Sequence, residues 1–190
     1  KNNKICSNRI DRGLSIHYLN KKNVVAIIEK DFESRATWSA IRGDGEIDIE
    51  QNIKLIGNTS IKIKNKKNNE VFIVQADMKQ KIQIRKPVFF VLLWGGLETN
   101  KNFRDYYLAT PTPFLENTTT KERLAIPVTQ INSGLPSYID NKSQDEHLKW
   151  ITYSFFGFFN PGEFNLKLQL SVLEGQTAIF DGIRLFLFEA

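Results

Sequence analysis

Glu46-Ile47-Asp48-Ile49-Glu50 is the segment of this chain most ready for chemistry. Side chains alternate along a strand, so the three carboxylates share one side and the two isoleucines the other. Crowded carboxylates raise one another's pKa, which is how an acid is kept protonated for general-acid work. A pair held ~5–5.5 Å apart would serve as nucleophile and acid/base in retaining glycoside cleavage. An ordinary solvated strand face shows the same alternation, and that reading stays open. A second reactive group is Asp181, the one acid inside the apolar run Thr177–Phe188. A lone buried carboxylate is costly, so it needs a cation or a hydrogen-bond partner. Backbone N–H groups or a basic side chain would serve as well as a metal.

Other chemistries lack their parts. His17 and His147 are the only histidines and have no zinc-ligand spacing. His147 follows Asp145 and Glu146, but no Gly-x-Ser-x-Gly elbow exists to pair with it. No glycine loop is built to cradle phosphate. Cys6 is alone, which excludes an intramolecular disulfide and a Cys-rich zinc site.

The elements that must position these residues read as strands. Glu163–Val172 alternates without a fault: Phe164, Leu166, Leu168, Leu170 and Val172 on one face, Asn165, Lys167, Gln169 and Ser171 on the other. Similar patterns cover Val24–Glu29, Glu46–Leu55, Ser60–Lys64, Val71–Ala76 and Ile82–Ile84. Val88–Trp94 and Thr177–Phe188 are apolar on both faces, as expected of central strands. Turn signals separate them: Gly43-Asp44-Gly45, Gly57-Asn58, Asn68-Asn69, Asn160-Pro161-Gly162 and Glu174-Gly175. About nine strands with almost no helical periodicity predict an all-β sandwich or barrel. Residues 1–23 read as a linker or N-terminal extension, and 24–190 as the β domain. Gly95–Lys149 is long, polar and rich in Pro and Thr. An excursion of that length is functional or holds further strands, such as Arg123–Gln130. Asp145–Lys149 reads as a short helical turn.

The composition fits one folded domain of 190 residues, 41% hydrophobic with 14 Phe. Its net charge of +5 comes from scattered lysines. A nucleic-acid footprint would need a basic stripe with interleaved aromatics, and the helical reader motifs are missing. No run reaches the ~18 apolar residues of a membrane-spanning helix. The chain opens Lys1-Asn2-Asn3-Lys4 with no Met, which reads as a processed or excised piece and leaves an earlier signal peptide open.

Two families are similar in parts. Asp31-Phe32-Glu33-Ser34, Trp38, Gly57-x-x-Ser60-x-Lys62-Ile63 and Val74-Gln75 follow one another in the order seen at the start of jelly-roll carbohydrate-binding modules. Those are the modules attached to xylanases and glucanases. Gly162-x-Phe164-x-Leu166 and Ile179-Phe180-Asp181-Gly182-Ile183-x-Leu185 resemble their end. The resemblance covers 30–94 and 150–189, not the middle. It implies a two-sheet antiparallel β-sandwich of jelly-roll type and a non-catalytic, glycan-binding role. It also implies a structural calcium where first and last strands meet, held by Glu33 and Asp181, with Asp31 and Lys62 adding backbone carbonyls; several oxygens are what Ca²⁺ takes. Sugar would stack on aromatic faces and bond amides or charges, with Trp94, Gln75, Tyr153, Lys167 and Gln169 as candidates, and Tyr106 and Tyr107 from the excursion. Trp94 shares a strand face with Phe90 and Leu92, so a core role competes for it; Trp38 is expected in the core.

The carboxylate comb, in turn, resembles the catalytic strand of retaining β-glucanases such as lichenases and laminarinases. The match is five residues long, and about 45 residues precede it where that family has several cleft strands. Three functions therefore stand: a carbohydrate-binding module of an extracellular or surface-associated protein, a structural or protein-interaction jelly roll of a virion or cell surface, and a glycosidase.

Overall fold

The computed structural model describes residues 24–30, 37–55, 57–66, 70–97, 109–133 and 150–189. These form thirteen strands. In chain order they are β1 Val24–Lys30, β2 Trp38–Arg42, β3 Gly45–Glu50, β4 Ser60–Asn65, β5 Phe72–Ile84, β6 Val88–Leu97, β7 Ala109–Pro111, β8 Phe114–Asn117, β9 Arg123–Ala125, β10 Gln130–Ser133, β11 Trp150–Phe159, β12 Gly162–Val172 and β13 Thr177–Glu189.

Two antiparallel sheets face each other. The seven-stranded sheet runs β10-β11-β6-β13-β4-β3, and β1 also lies against β13. The six-stranded sheet runs β2-β5-β12-β8-β9, and β7 also lies against β12. The pairings nest: β6 with β11, β5 with β12, β4 with β13. Successive nested pairs alternate between the sheets, so a long antiparallel ribbon is rolled into two layers. That is the jelly-roll sandwich expected above.

Alternation explains the layers. On β12, Leu166, Leu168, Leu170 and Val172 are fully buried against the other sheet, while the residues between them are half-exposed. Phe90, Leu92 and Trp94 of β6 and Phe180, Ile183 and Leu185 of β13 face them from across the core. Trp38 of β2 and Trp94 of β6 bridge the sheets, rings stacked at 6.4 Å. Trp38 is thus in the core, as expected.

The structure departs from the sequence reading in three places. Val71–Ala76 and Ile82–Ile84 are one strand, β5, whose register against β12 shifts between Asn165 and Lys167. The bulge breaks the alternation, and the pattern reads as two strands. β3 ends at Glu50, so Ile53 and Leu55 lie beyond it, packed with Trp150 and Ile179 on the outside of the seven-stranded sheet. The excursion begins later than Gly95, because β6 continues to Leu97, and its described part holds β7, β8, β9 and β10. The expected turn at Asp145–Lys149 lies outside the described residues.

Candidate functional site

The carboxylate comb lies on β3, at the edge of the seven-stranded sheet. Ile47 and Ile49 pack into the core, so the three acids point outward. The neighbouring strand places Lys64 opposite Glu46 and Lys62 opposite Asp48. Lys66 pairs with Glu46, and Lys62 with Glu50 at 3.5 Å. The hydrogen bond from Lys66 holds the Glu46 carboxyl below its ordinary value. Glu50 is held low as well, first by the Asn52 N–H at 2.9 Å and then by the Lys62 charge. Mutual repulsion was expected to raise these acids; at Glu46 and Glu50 the shift runs the other way. A general acid needs a raised pKa. This strand is instead a charged edge, which discourages pairing with another chain.

Asp181 is completely buried. Its Oδ2 accepts the Leu55 N–H at 2.6 Å and its Oδ1 accepts the Gly182 N–H at 2.7 Å. Gly182 adopts φ +67° inside a bulge of β13, the left-handed conformation that glycine takes without strain. The bulge turns Asp181 to the outside of the sheet under the 51–55 segment. Backbone N–H groups therefore supply the partners its burial demands.

The calcium set is only partly within view. β1 pairs antiparallel with β13 and ends with Lys30 opposite Ile183, two positions from Asp181. First and last strands thus do lie side by side. Asp31 and Glu33 lie outside the described residues. Lys62 sits in the middle of a ladder, between Asp48 and Ile179, with its ammonium toward Glu50. Among the described residues no group of three or more acids, histidines or cysteines could hold a metal. One carboxylate falls short of the six to eight oxygens Ca²⁺ takes.

The sugar-binding candidates divide by burial. Trp94 is 0% and Tyr153 4% exposed; both rings lie between the sheets against Phe180, at 5.1 and 5.5 Å. They have no face to offer a ligand, and the core role that competed for Trp94 prevails. Tyr106 and Tyr107, like both histidines, lie outside the described residues.

Gln75, Lys167 and Gln169, by contrast, meet on one surface, the outer face of the six-stranded sheet. Gln75 is directly opposite Gln169, and Asp77 opposite Lys167. Directly opposed residues have Cβ atoms about 4.5–5.5 Å apart. Lys167 Nζ pairs with Asp77 Oδ2. Gln169 Nε2 donates to Thr112 Oγ1 at 3.1 Å. Farther along, Glu163 accepts from Thr118 at 2.8 Å and pairs with Lys81 at 3.1 Å, and both hold its carboxyl low.

Gln169 also lines a cavity of about 360 Å³ at the same surface. Phe114 and Arg123 lie in its wall, the guanidinium 5.1 Å from the ring centre. Sequence reading missed Phe114, Arg123, Thr112 and Asp77. The signal is weak at Phe114 and Arg123, because β8 and β9 are four and three residues long, too short for alternation to emerge; Thr112 lies between strands, and Asp77 stands where the register of β5 against β12 shifts.

No family model matches the chain, and no curated protein matches it in sequence. Solved structures match its fold. The CBM22-1 xylan-binding domain of Xyn10C from Paenibacillus barcinonensis aligns over 87% of this chain and 96% of its own, at 13% identity and a TM-score of 0.49. The N-terminal CBM22-1–CBM22-2 tandem domain of the same protein reaches a TM-score of 0.53 over 88% of this chain, also at 13% identity. This chain spans about half of that tandem, 47%. The nested strand pairing and this likeness agree: the chain has the jelly-roll sandwich fold seen in the tandem domain.

Proposed function

We propose that the protein is a non-catalytic carbohydrate-binding module whose ligand lies across the outer face of the six-stranded sheet. The observation that carries this is the meeting of Gln75, Lys167 and Gln169 on one accessible surface beside a cavity. Amides and a charged pair are suited to sugar hydroxyls, and the cavity offers concavity and an apolar wall. Its size is at the small end of the ~300–1,000 Å³ typical of ligand pockets. The fold shared with the CBM22 tandem domain agrees with this reading, as do the motifs at both ends of the sequence. An extracellular, polysaccharide-facing setting is part of the proposal.

A structural calcium at the β1–β13 end is also proposed, supported by the pairing that brings Lys30 opposite Ile183. Asp181 would be a carboxylate ligand there. Calcium that binds only the folded chain raises its thermal midpoint, and a chelator lowers it. An unchanged midpoint in chelator removes the metal.

The functional test is affinity electrophoresis against a panel of plant, algal and bacterial polysaccharides. Retardation on at least one gel, lost in Gln75→Ala/Gln169→Ala, is the expected result. No retardation on any gel overturns the proposal.

A second reading has one observation in its favour. Phe158 of β11 is 73% exposed and packs on Phe89 at 5.2 Å, outside the seven-stranded sheet. Such a ledge suits contact with a second copy of this chain. A stable dimer in solution that Phe158→Ser dissolves would favour a structural jelly roll.

A further inference from the structure

We infer that the cavity beside Gln169 receives the carboxylate of an acidic sugar, so that the glycan taken by this face contains uronate units. This rests on the carbohydrate-binding reading above and narrows it to a chemical class. Among the described residues, Arg123 is the only charged one in the cavity wall, and no acid lines it. Its side chain is 64% exposed, and its ion partner, Glu116, stands 4.0 Å from Nε. On the same sheet Lys81 and Lys167 are bound closely to Glu163 and Asp77. Arg123 is therefore positioned, by the Phe114 ring on one side and Glu116 on another, without being neutralised at hydrogen-bond distance.

A guanidinium held this way presents a planar fork of donors, and a carboxylate matches it with two parallel hydrogen bonds. Pro111, Pro113 and Pro127 form apolar walls around it. Their fixed φ angles make the walls rigid before any ligand arrives, which lowers the ordering cost of binding. The Gln169 amide gives its N–H to Thr112, which aims its carbonyl and the threonine at a ligand's hydroxyls. A uronate has the three features this cavity addresses: a carboxylate, hydroxyls and an apolar ring face.

The test is calorimetric titration of the full chain with oligogalacturonate, with its carboxyl-reduced counterpart and with a sulfated oligosaccharide. Binding to oligogalacturonate at least tenfold tighter than to either control is the expected result. Arg123→Gln should erase that preference, and Arg123→Lys should weaken it, since the charge stays but the fork is lost. Unchanged thermal midpoints show that both variants fold. Equal affinity for the reduced form, equal affinity for the sulfated one, or a preference that survives Arg123→Gln overturns the uronate inference. Binding of neutral glycans without preference would leave the carbohydrate reading standing; binding of no glycan at all would end both.

Discussion

Two backbone N–H groups point at the buried Asp181 carboxyl, one of them from a residue 126 positions away. Asp181→Ala would leave both donors buried and unpaired, at a cost of about 2–5 kcal/mol. Asp181→Asn keeps one acceptor and should lose roughly half as much. Urea unfolding of the three proteins in chelator measures this clamp apart from any metal; equal midpoints would show that the N–H groups find other partners. The sequence made the need for a partner legible, since an acid in an apolar run must be satisfied somehow. It did not reveal that Leu55 supplies one, because that contact depends on a loop folding over the sheet. The comb shows the same gap. Its alternation on β3 was readable, but the direction of its pKa shifts came from Lys66 at Glu46 and from the Asn52 N–H and Lys62 at Glu50, whose placement no local pattern gives. Glu46, Glu50 and Glu163 all have folded pKa values below the ordinary 4.5. As pH falls through 4.5 the unfolded chain binds protons first, so these groups stabilise the fold above that pH and lose their contribution through their lower folded pKa values. Thermal midpoints should be flat from neutral pH to about 5 and decline below about 4.5. A midpoint that rises on acidification would mean that the acids repel one another after all.

Strands whose faces differ were readable, and strands whose faces do not differ were less so. β12 alternates without interruption because one face packs on the core while the other carries Lys167 and Gln169. β11 alternates in its first half, Ile151, Tyr153 and Phe155 inside with Thr152 and Ser154 outside, but Trp150, Phe156 and Phe158 make its outer face aromatic at both ends and hide the period. β6 was recognised but cut short, because Gly95 and Gly96 look like a turn. They are strand residues chosen for space. A Cβ on Gly95 would stand 2.5 Å from Leu55 Cδ2 and 2.9 Å from the Asp181 carbonyl. Gly95→Ala should therefore push the 51–55 segment off the sheet and destabilise the fold by about 1–3 kcal/mol. Hydrogen exchange would show the change first at the Leu55 amide. A neutral substitution would mean that the segment does not press on β6.

At the scale of the molecule, the nesting of β4, β5 and β6 with β13, β12 and β11 closes two layers around one core and leaves two outer faces of different character. The outside of the seven-stranded sheet carries the Phe158–Phe89 ledge and the covered acid Asp181. The outside of the six-stranded sheet carries the amides, the Lys167–Asp77 pair and the cavity. The all-β class and the sandwich were visible in the sequence through period-two alternation. Which polar candidates would share a surface was not, since Trp94 and Tyr153 proved to be core while Gln75, Lys167 and Gln169 proved to be neighbours. The measurement that addresses the account most directly is an amide chemical-shift map recorded while a retained polysaccharide fragment is titrated in. The account predicts that the largest shifts fall on Gln75, Lys167, Gln169 and the Phe114–Arg123 hairpin. Shifts gathered around Phe89 and Phe158, with the six-stranded sheet silent, would contradict it.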